Sequence, residues 1–158
     1  RLCSEVIMKN AILSLLFIMI VLAGCVTIQQ QYTNTAEDII GLINDGKVEE
    51  LSVITQTPFL LDAEIIILSN DMEDFWKNII EAGVKIEDPA IVEVYPVDEN
   101  TYKVFGKSFE VKTYFERYIT EQGHIVVVEA DNFKLFFIMD RNEKGKNRIF
   151  GIKGPMAL

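Results

Sequence analysis

Few residues in this chain have the type and setting to do chemistry. Asp62 and Glu64 stand between the apolar runs "FLL" and "EIIIL". A carboxylate held in an apolar pocket has a raised pKa and can act as a general base. The plainer reading, which the pattern favours, is a turn aspartate and an outward-facing strand glutamate. His124 is the single histidine, and it could serve as base or ligand. With no second histidine and no nearby cysteine a typical zinc site is not expected, and the position reads as an exposed strand start. Asp140 and Glu143 flank a polar turn that hints at calcium but lacks EF-hand spacing, so a solvated hairpin is expected. Ser52, Ser69 and Ser108 sit in no nucleophile-elbow or Ser-x-x-Lys context. No glycine-rich phosphate loop is present. Phe75 and Trp76 could line a pocket, although their helical spacing with Met72, Ile79 and Ile80 is that of core. No cofactor or metal is expected.

The most specific chemical signal lies near the start. Met8-Lys9-Asn10 is a short basic beginning, and Ala11 to Ala23 runs thirteen residues without a charge. That suits a secretory signal and falls short of the ~20 residues a helix needs to cross a bilayer. Leu22-Ala23-Gly24-Cys25 closes the run. It resembles the lipobox of bacterial lipoproteins at all four positions. The resemblance implies cleavage before Cys25, a diacylglyceryl thioether on its thiol, and acylation of the new amino group by a chain such as palmitate. Leu22, Ala23 and Gly24 would be the signal-peptidase recognition residues. Several acyl chains at ~0.8 kcal/mol per buried CH₂ anchor durably, where one would not. The alternative, an uncleaved span, would place Lys9 inside the membrane at a cost of several kcal/mol near its centre. Arg1 to Ile7 are expected to precede the true start at Met8. Val26, which is not aspartate, resembles the pattern of cargo passed to the outer membrane in two-membrane bacteria. Location is therefore the cell membrane or outer membrane, with the domain extracytoplasmic.

The two cysteines are Cys3 and Cys25, so the rest of the chain can form no internal disulfide. The formal charge is −9 over 158 residues. Lys and Arg are scattered without a basic stripe, which disfavours nucleic acid as a partner. Residues 1–24 are thus read as signal peptide, 25–33 as lipidated N-terminus and polar tether, and 34–155 as one domain.

Within the domain, Asn34 or Thr35 can cap a helix whose apolar face is Ala36, Ile39, Ile40 and Ile43, ending at Gly46. Val48, Leu51 and Ile54 mark a second helix. Two short strands broken near Asp62-Ala63 follow. "SNDMEDFWKNIIEAG" is a third helix, capped by Ser69 or Asn70 and ended by Gly83. Beyond Pro89 the pattern predicts strands at "IVEVYPV", "TYKVF", "HIVVVEA", "FKLFFIM" and "RIFGI". "SFEVKTYFERYI" fits helix or strand, and is read as strand or mixed. "FKLFFIM", apolar at both parities, must be covered on both faces or meet a partner or lipid with one. The fold class is α+β, with N-terminal helices on one face of a curled antiparallel sheet.

This element order resembles the nuclear transport factor 2-like superfamily, the cone-shaped fold of ketosteroid isomerase and polyketide-cyclase-like proteins. The likeness covers Asn34 to Pro155 and is carried by "DMEDFWKNI" after the hairpin and by "FKLFFIMDRNEKGKNRIFGIKGP" as the closing strand pair. It implies a cone that can hold a small apolar ligand or an active site, and a sheet that often dimerises. None of Asp62, Glu64, Tyr95, Tyr102, Tyr114 or Tyr118 falls in register with the family's catalytic positions. The leading functional expectation is a lipid-anchored, non-enzymatic binding or accessory module of the envelope. Its partners would be the membrane through the anchor and an apolar small molecule. The alternatives are an isomerase- or cyclase-like enzyme using Asp62 or Glu64, and a homodimeric assembly subunit.

Overall fold

The structure is a computed structural model that describes residues 27–131 and 133–157. The expected leader, with Leu22, Ala23, Gly24 and Cys25, lies outside the described residues.

Helix α1 spans Ile28–Asp45 and α2 spans Val48–Ile54. The hairpin β1 (Thr55–Leu61) and β2 (Glu64–Ile66) leads into α3 (Ser69–Glu81). Strand β3 (Ala90–Pro96) is followed by two short helices, α4 (Tyr102–Phe105) and α5 (Phe109–Tyr118). Strands β4 (His124–Ala130), β5 (Phe133–Arg141) and β6 (Asn147–Ala157) close the chain. The strands form one sheet in the order β2-β1-β6-β5-β4-β3. The expected α+β architecture, helices packed on a curled sheet, is the one observed. Register shifts in β3–β4, β5–β6 and β1–β6 supply the curl, because each bulge bends its strand and adds local twist.

Four expectations change. The sheet is mixed, since β1 runs parallel to β6 while the other neighbours are antiparallel. Helix α1 begins at Ile28, so most of the segment read as tether, 25–33, is helical. Thr27 caps it, its Oγ1 accepting from the Gln30 amide at 3.2 Å. Tyr32 is fully buried and continues the stripe of Ala36, Ile39 and Ile43 one turn back. At the start of α3, Leu68 occupies the cap position with no side-chain bond, where Ser69 or Asn70 was expected. "TYKVF" and "SFEVKTYFERYI" are helices, not strands.

These last two helices decide the layering. They do not join α1–α3 but cover the opposite face of the sheet. On the inner face α1, α2 and α3 pack Tyr32, Ile39, Leu51, Met72 and Trp76 against Val126, Val128, Phe137 and Met139. On the outer face α4 and α5 pack Phe105, Val111, Tyr114 and Phe115 against Leu60, Ile125, Val127, Ile138 and Phe150. The double-sided apolar pattern of "FKLFFIM" is therefore satisfied within the chain. Ser108 caps α5 through its Oγ, which accepts from the Val111 amide at 3.2 Å. Tyr114 reaches down from α5 to the carbonyls of Pro58 at 2.8 Å and Phe150 at 2.7 Å. It thereby ties β1 and β6 together where their register shifts.

Candidate functional site

The inner face does not fill completely. A cavity of about 230 Å³ lies between α1, α3 and the sheet. Its inner wall is Ile43, Trp76, Ile86, Leu135, Phe137 and Ile152, all at most 8% exposed. Leu61, Phe75, Ile79 and Phe133 add half-buried apolar surface, and Val84, Lys85, Gly154 and Pro155 rim the mouth. Lys85 is the single charged residue among those that line it.

Each wall has a local cause. In α3 the spacing of Met72, Phe75, Trp76 and Ile79 points one stripe at the sheet. Trp76 is oriented by a hydrogen bond from its Nε1 to Thr55 Oγ1 at 3.0 Å and by an edge contact with Phe75 at 4.9 Å. A large ring fixed by its one polar atom is a rigid wall. Gly83, at φ 71°, ends α3 in the left-handed conformation and turns the chain back across the end of α1. There the Asn44 side chain clamps the backbone of Ile86. Its Nδ2 donates to the Ile86 carbonyl at 2.9 Å and its Oδ1 accepts from the Ile86 amide at 2.8 Å. The far end of the inner face is closed by polar packing. Tyr32 donates to the Gln122 carbonyl at 3.1 Å, and the His124 ring lies 5.3 Å from the Tyr32 ring. Burial, with the Asp140 charge second, pushes the Tyr32 phenol up to about 12.

The candidate residues fall differently from the expectation in two cases. His124 is buried, 6% exposed, with its Nδ1 at 2.9 Å from the Gln122 carbonyl. Asp140 is fully buried inside β5 rather than in a solvated turn. Its carboxylate accepts from the Thr120 amide at 2.6 Å, Thr120 Oγ1 at 3.0 Å and the Arg141 amide at 2.6 Å. It fastens the α5–β4 connection to the sheet and has no access to a calcium ion. Glu143 is exposed on the hairpin beyond it.

Asp62 and Glu64 are both exposed at the tip of the β1–β2 hairpin and neither lines the cavity. Asp62, at φ 53°, is a turn residue whose Oδ1 accepts from the Gly154 amide at 2.9 Å. It steadies the mouth without facing the interior. Trp76 and Phe75 are core and cavity wall at once, so the two readings of that pair merge. Of the residues that complete the wall, Ile43, Leu135 and Ile152 were read as apolar positions of a helix or strand and Ile86 carried no signal, and the meeting of all four depends on long-range pairing.

Two larger clefts, about 530 and 510 Å³, flank α5 on the outer side. One is lined by Asp98, Glu99, Glu116 and Glu121 with Lys112, the other by Arg117, Arg141 and Lys144 with Glu143. In the first, Asp98 is used as a turn cap. The Asn100 amide and the Thr101 hydroxyl hold its carboxyl below the usual range. Both mix these charges with apolar side chains, Val97, Phe115 and Ile119 in the first and Tyr118 and Phe150 in the second, and neither is as apolar as the inner cavity.

No protein-family model matches the chain, and a search of curated proteins finds no match. Among the described residues no three of His, Cys, Asp and Glu come together as a metal site. No described helix is long and apolar enough to cross a membrane.

Proposed function

We propose that this chain is a lipid-anchored envelope protein of the nuclear transport factor 2-like kind, held by Cys25 in a bacterial cell or outer membrane. Its domain is extracytoplasmic and binds a small apolar molecule without transforming it. The observation that carries the binding role is the 230 Å³ cavity walled by buried apolar side chains. The anchor rests on the Leu22-Ala23-Gly24-Cys25 pattern. The volume lies between the about 150 Å³ that admits benzene and the ~300 Å³ at which drug-sized pockets begin. One ring or a short chain fits. The enzyme alternative calls for a carboxylate facing the cavity, and the lining has none. The homodimer alternative calls for an open outer sheet face, whereas α4 and α5 cover it.

Trp76 is the only tryptophan in the chain and stands in the cavity wall. Its emission therefore reports occupancy. Titrating the full chain with 3-phenylpropanol should shift that emission saturably. Leu135→Phe, which puts a bulkier aromatic side chain into the cavity, should abolish the shift. No saturable change, or one that survives Leu135→Phe, overturns the binding role. The anchor is tested by the mass of the N-terminal peptide from membranes, which should show acylated Cys25. Normal maturation of Cys25→Ala would refute it.

A further inference from the structure

The cavity mouth carries a charge that the apolar wall does not need. Lys85 is exposed at the rim. The ion pairs among the described residues are Lys77–Glu81, Lys112–Glu116 and Lys134–Glu129, so Lys85 has no carboxylate within pairing distance there. Its Nζ donates to the carbonyl of Asn44 in the last turn of α1. An ammonium has three donors, so two remain for another acceptor. Its place is fixed by the chain around it: Gly83 turns the backbone, and the Asn44 clamp holds Ile86, the next residue. The cation is thus held at the edge of a pocket that otherwise offers a ligand no polar lining side chain except the indole of Trp76, already bonded to Thr55.

We infer that the cavity selects an amphipathic anion: a small apolar body inside, and a carboxylate at the mouth paired with Lys85. The body follows from the wall. The head group follows from the position and sign of the one charge. A carboxylate suits this place because it stays at the wet rim, keeps its solvation on one side, and accepts from the ammonium on the other. A group buried deeper would lose water without a partner. The geometry also fits the chain's overall charge. A chain of formal charge −9 repels anions at long range, so an acid ligand needs a local cation at the entrance.

The inference rests on the binding role proposed above, and one pair of probes separates the two. The ligands 3-phenylpropanol and 3-phenylpropionate share a body and differ in the head. Both are titrated into the full chain with Trp76 emission as readout. The acid should bind about fivefold more tightly than the alcohol at low salt, the factor expected of one partly exposed ion pair of ~1 kcal/mol. In Lys85→Met the acid should lose that advantage while the alcohol binds as before. Lys85→Arg should keep it, and raised salt should erode it. If alcohol and acid bind equally in the unaltered chain, the head-group inference fails while the cavity reading stands. If neither binds, both fail. A Lys85 that only caps α1 predicts lower stability in Lys85→Met with the acid preference intact, and that result also overturns the inference.

Discussion

Tyr114→Phe is the substitution whose effect can be worked most directly from the structure. It deletes one oxygen and leaves the ring, so its contacts with Tyr118 at 5.3 Å and Phe115 at 6.2 Å persist. What disappears is the hydroxyl shared between the carbonyls of Pro58 at 2.8 Å and Phe150 at 2.7 Å. Tyr114 is 1% exposed, so water does not readily replace it. The buried Phe150 carbonyl and the part-buried Pro58 carbonyl then lose a donor at the place where the parallel β1–β6 pairing is irregular. A buried polar group left without its partner costs about 1–3 kcal/mol. Because one proton serves both carbonyls, we expect about 2 kcal/mol in all. For a domain of this size that lowers Tm by roughly 6–10 °C. Urea unfolding of the full chain, followed by circular dichroism and by Trp76 emission, measures it. Amide exchange should also speed up at Leu60 and Gly151, which pair across the same strands. A change below about 0.5 kcal/mol would show that the hydroxyl is not the tie between α5 and the β1–β6 seam.

Three further outcomes are expected. Tyr32, raised from 10.0 to about 12 by burial and then by Asp140, stays protonated in the fold after it ionises in the unfolded chain. The unfolded state then binds fewer protons, so stability falls as pH rises from about 10 to about 12, by roughly 2–3 kcal/mol. Urea midpoints across that window should fall less steeply in Tyr32→Phe. Asp140→Ala strips three bonds from a fully buried carboxylate. It should cost about 3 kcal/mol or more and raise amide exchange at Thr120 and Arg141, while Asp140→Asn, which keeps one acceptor oxygen, costs less. Gly151→Ala would place a Cβ 2.6 Å from the Leu60 carbonyl oxygen and 2.8 Å from Ile138 Cδ1. Backbone cannot yield there without shifting β1, so a loss of about 2–3 kcal/mol is expected by thermal unfolding.

The sequence carried the elements whose stripe faces a single core. Helix α3 was legible because Met72, Trp76 and Ile79 repeat at helical spacing between an acidic start and Gly83. Strands β4 and β5 were legible from unbroken β-branched and aromatic runs. The misread segment is the one whose two periodicities compete. In "SFEVKTYFERYI" the strand parity would bury Phe109 beside Val111, yet Phe109 is 77% exposed and Val111, Tyr114 and Phe115 are buried. The outer face of the sheet settles that competition, since it needs a cover one helix wide. "TYKVF" looks like strand by composition, but the Asp98–Thr101 side-chain bonds at its start turn it into a single helical turn. Helix α1 was cut short because its first two turns offer one apolar residue each among Gln, Thr and Asn. The cavity was legible only through Phe75 and Trp76 and the cone that the resemblance implied, and the buried Asp140–Thr120 fastening was not legible at all. Each depends on residues 20 or more positions apart, brought together by the sheet register rather than by local pattern.

The early start of α1 sets a distance as well as a helix boundary. With Ile28 as its first residue, only Val26 and Thr27 separate the helix from Cys25. An acyl anchor at Cys25 would thus join almost directly to a rigid strut rather than to a leash. From Ile28 to Ile43, where α1 reaches the cavity wall, the rise is about 22 Å. The mouth, beside Asn44 and Lys85, opens at the end of α1 away from Ile28, so it would lie far from the lipid of the proposed anchor. A molecule entering it would come from the aqueous compartment or from a facing protein, not by sliding sideways out of the bilayer.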